Sequence, residues 1–193
     1  MNWQHIALAD ATPLPWKNGG GVTRELLAWP PGVADWHWRM SVAQVDGDGP
    51  FSAFEGVRRW FAVLDGAGVE LALGQGSAVQ TQRLTQQSEA FCFDGALPVY
   101  CTLTNGPTQD FNLMVRSVHA RAQMQRVRGA LAVSAQNGSV CALWTGANGA
   151  VLRDANGLWP VPAQTLAWCS SAPVQGLHID SADALYMEIA PCL

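Results

Sequence analysis

The chain has 193 residues, 49% hydrophobic and 13% charged, with a formal net charge of −4 at neutral pH. That length buries roughly 70% of the unfolded surface, so the chain needs no disulfide or metal staple to fold. With no excess of Lys or Arg and no basic cluster, it has no means of neutralising a phosphate backbone, which excludes nucleic acid as a partner.

At the start of the chain, Met1 to Asp10 carries neither a basic n-region nor a long apolar h-region. Nowhere do about 18 uncharged apolar residues run together, so a cytoplasmic protein with no membrane association is expected. The apolar segments are short, rich in Val, Leu, Trp and Phe, and broken by Gly, Pro, Asn and Asp about every ten residues, the pattern of a sandwich or barrel.

The first unusual segment is Pro15-Trp16-Lys17-Asn18-Gly19-Gly20-Gly21-Val22-Thr23-Arg24-Glu25. Three glycines let the backbone turn several N–H groups toward one point, and Lys17 and Arg24 add positive charge, a combination suited to a carboxylate. It is not a Walker loop, and it also reads as a plain turn between strands. In Trp36 to Ala43, extended backbone puts Trp36, Trp38, Met40 and Val42 on one face and His37, Arg39 and Ser41 on the other. Arg39 and Ser41 are candidates for a barrel lumen, the alternative being a solvent face. Gly49 to Arg59 follows, where Ser52 can hydrogen-bond an anion and Arg59 offers a planar fork that matches a carboxylate.

Trp60 to Leu64 and Val69 to Leu73 flank Asp65-Gly66-Ala67-Gly68 and are expected to form a β-hairpin. Strands are expected at Val99 to Leu103 and Phe111 to Val115, with Asn112 and Arg116 alternating toward the same side. Ser117 to Gly129 reads as a connecting strand or short helix, and Arg116, Arg121, Arg126 and Arg128 as a solvated or inter-half face. Further strands are expected at Val140 to Trp144, Val151 to Arg153, Thr165 to Cys169 and Leu185 to Ile189, separated by Gly146, Asn148-Gly149 and Asn156-Gly157. One β-rich architecture is thus repeated, with a boundary near residue 125.

Cys92, Cys101, Cys141, Cys169 and Cys192 are odd in number, widely spaced and set mostly in apolar runs, which predicts reduced core thiols. His5, His37, His119 and His178 are scattered without metal-ligand spacing, so no metal site is expected. Gly-x-Ser-x-Gly is missing, which argues against a hydrolase triad. Most tryptophans read as barrel filling; Trp16, beside the Lys-Asn-Gly run, is the one expected to touch a ligand, with Phe51.

Pro15 to Gly21 with Thr23, Arg24 and Glu25, then Trp38 to Ala43, then Gly49 to Ser52 with Phe54, Gly56 and Arg59, then Leu64 to Gly66, and finally Asp110 to Asn112 with Met114 and Arg116, stand in an order that resembles the HutD/Ves family. The likeness is close over residues 15 to 116, and the second half agrees mainly in strand pattern. It implies an all-β double cupin of two RmlC-like antiparallel barrels or jelly rolls, without the metal-binding histidines of catalytic cupins and without a cofactor. Residues 1–125 would form the barrel with the ligand site, and 126–193 a second barrel-like half completed by N-terminal strands. Residue by residue, the resemblance implies that Trp16, Lys17, Asn18, Thr23, Glu25, Arg39, Ser41, Ser52, Arg59 and Asn112 lie near the first cavity.

The expected function is binding of a small carboxylate-bearing metabolite, with Lys17, Arg39 and Arg59 receiving the acid group. The resemblance points to a regulator or buffer beside histidine utilisation, with formylglutamate or urocanate as ligand. Two other readings stay open. One is a cupin-type isomerase or epimerase with Glu25 as general base and Lys17 as acid. The other is an interaction protein whose apolar second half forms a homodimer surface.

Overall fold

The computed structural model describes residues 2–155, 157–170 and 176–192. Among them the chain is all-β, with two short 3-10 turns at Leu8–Asp10 and Gly76–Ala78. It divides into two compact units, Thr12–Val118 and a second made of Met1–Ala11 with His119–Leu193. In chain order, β1 (Gln4–Ala7) belongs to the second unit. The first unit holds β2 (Pro13–Pro15), β3 (Gly21–Trp29), β4 (Trp38–Val45), β5 (Gly49–Phe51), β6 (Val57–Asp65), β7 (Val69–Leu73), β8 (Gln80–Leu84), β9 (Phe91–Asp94), β10 (Val99–Leu103) and β11 (Thr108–Arg116).

These ten strands form two antiparallel sheets, a six-stranded one in the order β2-β3-β4-β11-β6-β9 and a four-stranded one in the order β5-β10-β7-β8. Alternation along each strand supplies the apolar face. Val45, Phe61, Val63 and Phe93 of the larger sheet pack in one cluster with Val69, Leu71, Leu73, Leu84, Val99 and Cys101 of the smaller. Fully burying each large apolar side chain contributes roughly 1.5–3 kcal/mol, which holds the two sheets face to face.

The hairpin expected around Asp65 to Gly68 does not form. β6 pairs with β11 and β9, whereas β7 pairs with β10 and β8, so the turn carries the chain from one sheet to the other. Its glycines are required by close approach: a Cβ on Gly66 would stand 2.5 Å from the Pro107 carbonyl oxygen, and one on Gly68 2.4 Å from that of Leu84.

In the second unit, β1 joins β12 (Ala120–Val133), β13 (Val140–Thr145), β14 (Ala150–Asp154), β15 (Gly157–Val161), β16 (Thr165–Ser170) and β17 (Leu177–Pro191) in one seven-stranded sheet. β17 organises it: β12 runs along one edge, while β13 and β14 share the other. Cys141, Leu143, Leu152, Ala167, Cys169, Leu177, Ile179 and Tyr186 fill its interior. Ser117 to Gly129 is mostly strand, and the break expected near residue 125 falls inside β12. Asn156 lies outside the described residues.

Of the arginines expected on a solvated or inter-half face, Arg116 is partly exposed and Arg126 is not. Arg126 is buried, with Nη1 donating to both carboxylate oxygens of Asp183 at 2.9 and 3.0 Å. Arg116, on the same face of β11 as Asn112 by strand parity, lies outside the cavity lining; it donates to the Trp36 carbonyl at 2.9 Å and pairs with the exposed Asp35 at 3.1 Å. No helix among the described residues is long and apolar enough to cross a membrane.

Candidate functional site

Residues directly opposite on neighbouring antiparallel strands project from the same face. The register across β3, β4, β11 and β6 therefore builds a wall in rungs. One rung is Glu25, Ser41, Asn112 and Phe61. The next is Arg39, Met114, Arg59 and, on β9, Phe93. On the other side of the first comes Thr23, Ala43, Asp110 and Val63. An irregularity between Glu25 and Leu27 in β3 locally shifts the register, and the Glu25 carboxylate lies 3.8 Å from Arg39 Nη1.

Above this wall lies a cavity of about 700 Å³. All ten residues expected near it line it: Trp16, Lys17, Asn18, Thr23, Glu25, Arg39, Ser41, Ser52, Arg59 and Asn112. The polar face of β4 is thus a cavity wall rather than a solvent face, while Met40 and Val42 on its opposite side are also buried. Sequence reasoning had not placed Phe54, Phe61 or Met114 in the lining; Met114 shares its parity with Asn112, which was the available signal.

The Gly-rich loop contributes side chains rather than a nest of amides. Gly19 N–H donates to the Trp16 carbonyl at 3.0 Å and Gly20 N–H to Asn18 Oδ1 at 3.1 Å, so these donors close the loop on itself. Gly21 is needed because a Cβ there would stand 2.3 Å from the Gln44 carbonyl oxygen. Trp16 is fixed by its Nε1–H, which donates to Thr23 Oγ1 at 2.7 Å, and by edge contact with Phe51 at 6.5 Å. Lys17, the only lysine of the chain, is exposed on this rim.

Arg59 is 7% exposed and has no carboxylate within ion-pairing distance among the described residues. Its guanidinium lies over Phe51, Phe54 and Phe93 at 5.2, 5.8 and 5.1 Å. Nη2 donates to Asn112 Oδ1 at 3.1 Å and Nη1 to the Ser52 carbonyl at 3.3 Å, while buried Nε has no protein partner. Burial, and then the charge of Arg39, lowers its pKa to about 10, so it remains a cation at neutral pH.

Arg39 is also lowered by burial, against the attraction of Glu25. It sits over Trp36 and Phe54 at 5.0 and 5.5 Å, and its Nε and Nη2 both donate to Met114 Sδ at 3.4 Å. Nη1 is 3.8 Å from Glu25 Oε2, a loose pair with the carboxylate side chain 45% exposed. The lining therefore holds three cationic side chains against one carboxylate, over an aromatic floor. Such a site can hold an acid group on the guanidiniums and an apolar body on the rings.

No histidine or cysteine lines the cavity. Among the described residues, no group of three or more His, Cys, Asp or Glu stands together as a metal ligand set.

Comparison with known proteins agrees with this picture. The HutD family model matches residues 8–187. Protein Ves of Citrobacter koseri is 38% identical over 57% of this chain, and a 21.2 kDa protein in the hutC 3′ region of Pseudomonas putida is 36% identical over 63%. The matched stretches span 56% and 63% of those relatives' own lengths. Protein Ves of Cronobacter sakazakii is 34% identical over 75% of the chain and 79% of its own length. Among solved structures, HutD from Pseudomonas fluorescens SBW25 superposes with a TM-score of 0.86 at 24% identity, covering both chains fully. A conserved protein of unknown function from Pseudomonas aeruginosa gives 0.83 at 27%, also over the full length of both. Oxalate decarboxylase of Bacillus subtilis gives 0.62 at 7% over 96% of this chain and 76% of its own, a likeness of fold alone.

Proposed function

Because the chain belongs to the HutD family, we propose that it is a cupin-like protein that binds a small carboxylate-bearing metabolite, without metal, in the cavity of its first unit. The observation that carries this reading is Arg59. A guanidinium this deeply buried, beside a second one and without a carboxylate partner, costs folding free energy that an anionic ligand offsets. Asn112, Ser52 and Met114 hold the two guanidiniums in place, so little is lost in ordering them on binding. Charge-assisted contacts to such groups are worth about 1.5–3 kcal/mol each.

We read the two β-rich units as a double cupin; the separate core of each supports this, and so does the likeness to cupin-like structures. The relative in the hutC 3′ region favours a cytoplasmic role beside histidine utilisation, as a regulator or buffer of an acidic intermediate. Formylglutamate and urocanate each carry the acid group that this lining would receive on its guanidiniums.

A thermal-shift panel of small acids and their neutral amides tests the proposal. Acids including formylglutamate or urocanate should raise Tm, amides should not, and Arg39→Ala and Lys17→Ala should each abolish the shift. A flat response across the panel, with both variants behaving like the parent, would count against it. Substrate turnover that is lost in Glu25→Gln would replace binding with the isomerase reading.

A further inference from the structure

We propose that Cys141 and Cys169 form a redox-active dithiol inside the second unit, which a peroxide converts into a disulfide across β13 and β16. Nothing in the cavity chemistry of the first unit uses these residues. The pair stands on the strand register: Cys141 is directly opposite Cys169, between Val140 opposite Ser170 and Ala142 opposite Trp168. Opposite residues of an antiparallel pair share a face, with Cα atoms about 4.5–5.5 Å apart. A disulfide needs Cα atoms about 4.4–6.8 Å apart, a range this register meets, and closing the bond draws the two Cβ atoms together by up to about 1 Å. Both side chains belong to the same buried cluster, which places them on the inner face together.

The other cysteines lack this arrangement. Cys92 is opposite Trp60, and Cys101 is opposite Leu71 and Gly49.

The two sulfurs are also unlike each other. Tyr186 on β17 donates its hydroxyl to Cys141 Sγ at 3.4 Å. The contact with the Cys169 thiol, and then this hydroxyl, hold the Cys141 thiol below its ordinary value in spite of burial. The same contact, with burial, pushes Cys169 up. Because the Tyr186 hydroxyl donates to Cys141 Sγ, Cys141 is assigned as the attacking sulfur and Cys169 as the thiol that resolves the intermediate. Glu188, the nearby carboxylate, opposes ionisation of Cys141, but it is engaged by Ser139 Oγ at 2.9 Å and Gln136 N–H at 3.0 Å.

The chemistry balances with a peroxide as oxidant. Cys141 sulfur attacks one peroxide oxygen, the O–O bond breaks, and the departing oxygen takes the Cys141 proton to leave as water. Cys169 sulfur then attacks the sulfenic sulfur of Cys141, the S–O bond breaks, and hydroxide leaves with the Cys169 proton as a second water. Two thiols are oxidised by two electrons and hydrogen peroxide is reduced to two waters. Cys141 is 0% and Cys169 7% exposed, so a bulky disulfide such as oxidised glutathione is excluded and the oxidant must be small enough to enter the packed interior.

The test treats the reduced, folded full chain with hydrogen peroxide, alkylates the remaining thiols and maps tryptic peptides without reduction; Arg153 lies between the two cysteines, so cleavage separates them. The expected result is loss of two hydrogens in intact mass, a Cys141–Cys169 cross-linked peptide as the main product, and reversal by dithiothreitol. Cys169→Ser should instead stop at a sulfenic acid on Cys141 that dimedone captures. Should that variant fail to fold, the map of the parent chain decides alone. Oxidation confined to Cys92 or Cys192, with Cys141 and Cys169 still free to alkylate, would overturn the proposal. A cross-link that appears only after unfolding would overturn it too.

Discussion

Arg59 shows how a single residue can serve a site at the expense of stability. Its guanidinium is buried among Phe51, Phe54 and Phe93 and is held by one side-chain amide and one backbone carbonyl. Hydrogen bonds orient the cation but do not neutralise it. Arg59→Met, which keeps the contact with the rings and removes the charge, should therefore have a Tm no lower than the parent's in the absence of ligand. A clear loss of Tm in a thermal melt would mean that Arg59 is a structural group. Asp110 makes the complementary case. It stands one rung from Asn112, fully buried, with Oδ2 accepting from Thr108 Oγ1 at 2.7 Å and Oδ1 unpartnered. Burial lifts its carboxyl from an ordinary 3.8 to about 7, against the Thr108 hydrogen bond, which favours the charged form. The folded chain thus binds this proton more tightly than the unfolded chain, a stabilisation present below about pH 4 and lost as the pH rises through about 7. Asp110→Asn should gain on the parent by on the order of a few kcal/mol between those limits, read from denaturant melts at a series of pH values. A constant difference across that range would show that Asp110 does not titrate there.

At the scale of the element, the cavity is a product of register. β11 lies between β4 and β6, and this brings Arg39, Met114 and Arg59 to one level although they are far apart in sequence. Alternation within β4 and β11 was legible in the sequence because side chains on a strand have a period of two, and Arg39, Ser41 and Asn112 follow directly from it. Pairing was less legible. Asp65 to Gly68 carries the composition of a hairpin turn, but local glycines do not record which sheet the next strand joins. Here they mark close packing, with Gly68 at φ +111° against the Leu84 carbonyl. Gly68→Ala should cost more than about 1 kcal/mol in a urea melt, since both the φ and the contact oppose a Cβ. A loss no larger than that of an ordinary surface substitution would show that the turn relaxes freely. The Gly19 to Gly21 loop is the second case where composition misled: the Gly19 and Gly20 amides are spent inside the loop, and its contribution to the cavity is Trp16, Lys17 and Asn18.

On the scale of the whole molecule, an acidic chain with a net charge of −4 encloses a cavity whose lining is cationic. Composition alone argued against nucleic acid and could not reveal this local reversal, because three cations brought together by folding do not alter a total. The assignment of strands to units was only partly legible. Residues 15 to 116 carry the distinctive blocks and fall inside one unit, but the first residues pair through β1 with β16 and so belong with the end of the chain. Long-range pairing of this kind leaves no local mark beyond alternation. The second unit has a filled apolar interior and, at Cys141 and Cys169, chemistry of its own. The claim on which the functional account rests is that the first unit holds an acid group on Arg39 and Arg59. The most direct measurement is calorimetric titration of the parent chain and Arg59→Met with formylglutamate and urocanate. The account predicts saturable one-site binding of at least one of them by the parent, weakened at least about tenfold in the variant, the cost of one charge-assisted contact. Equal binding by both proteins, or no binding of either acid by the parent, would contradict it.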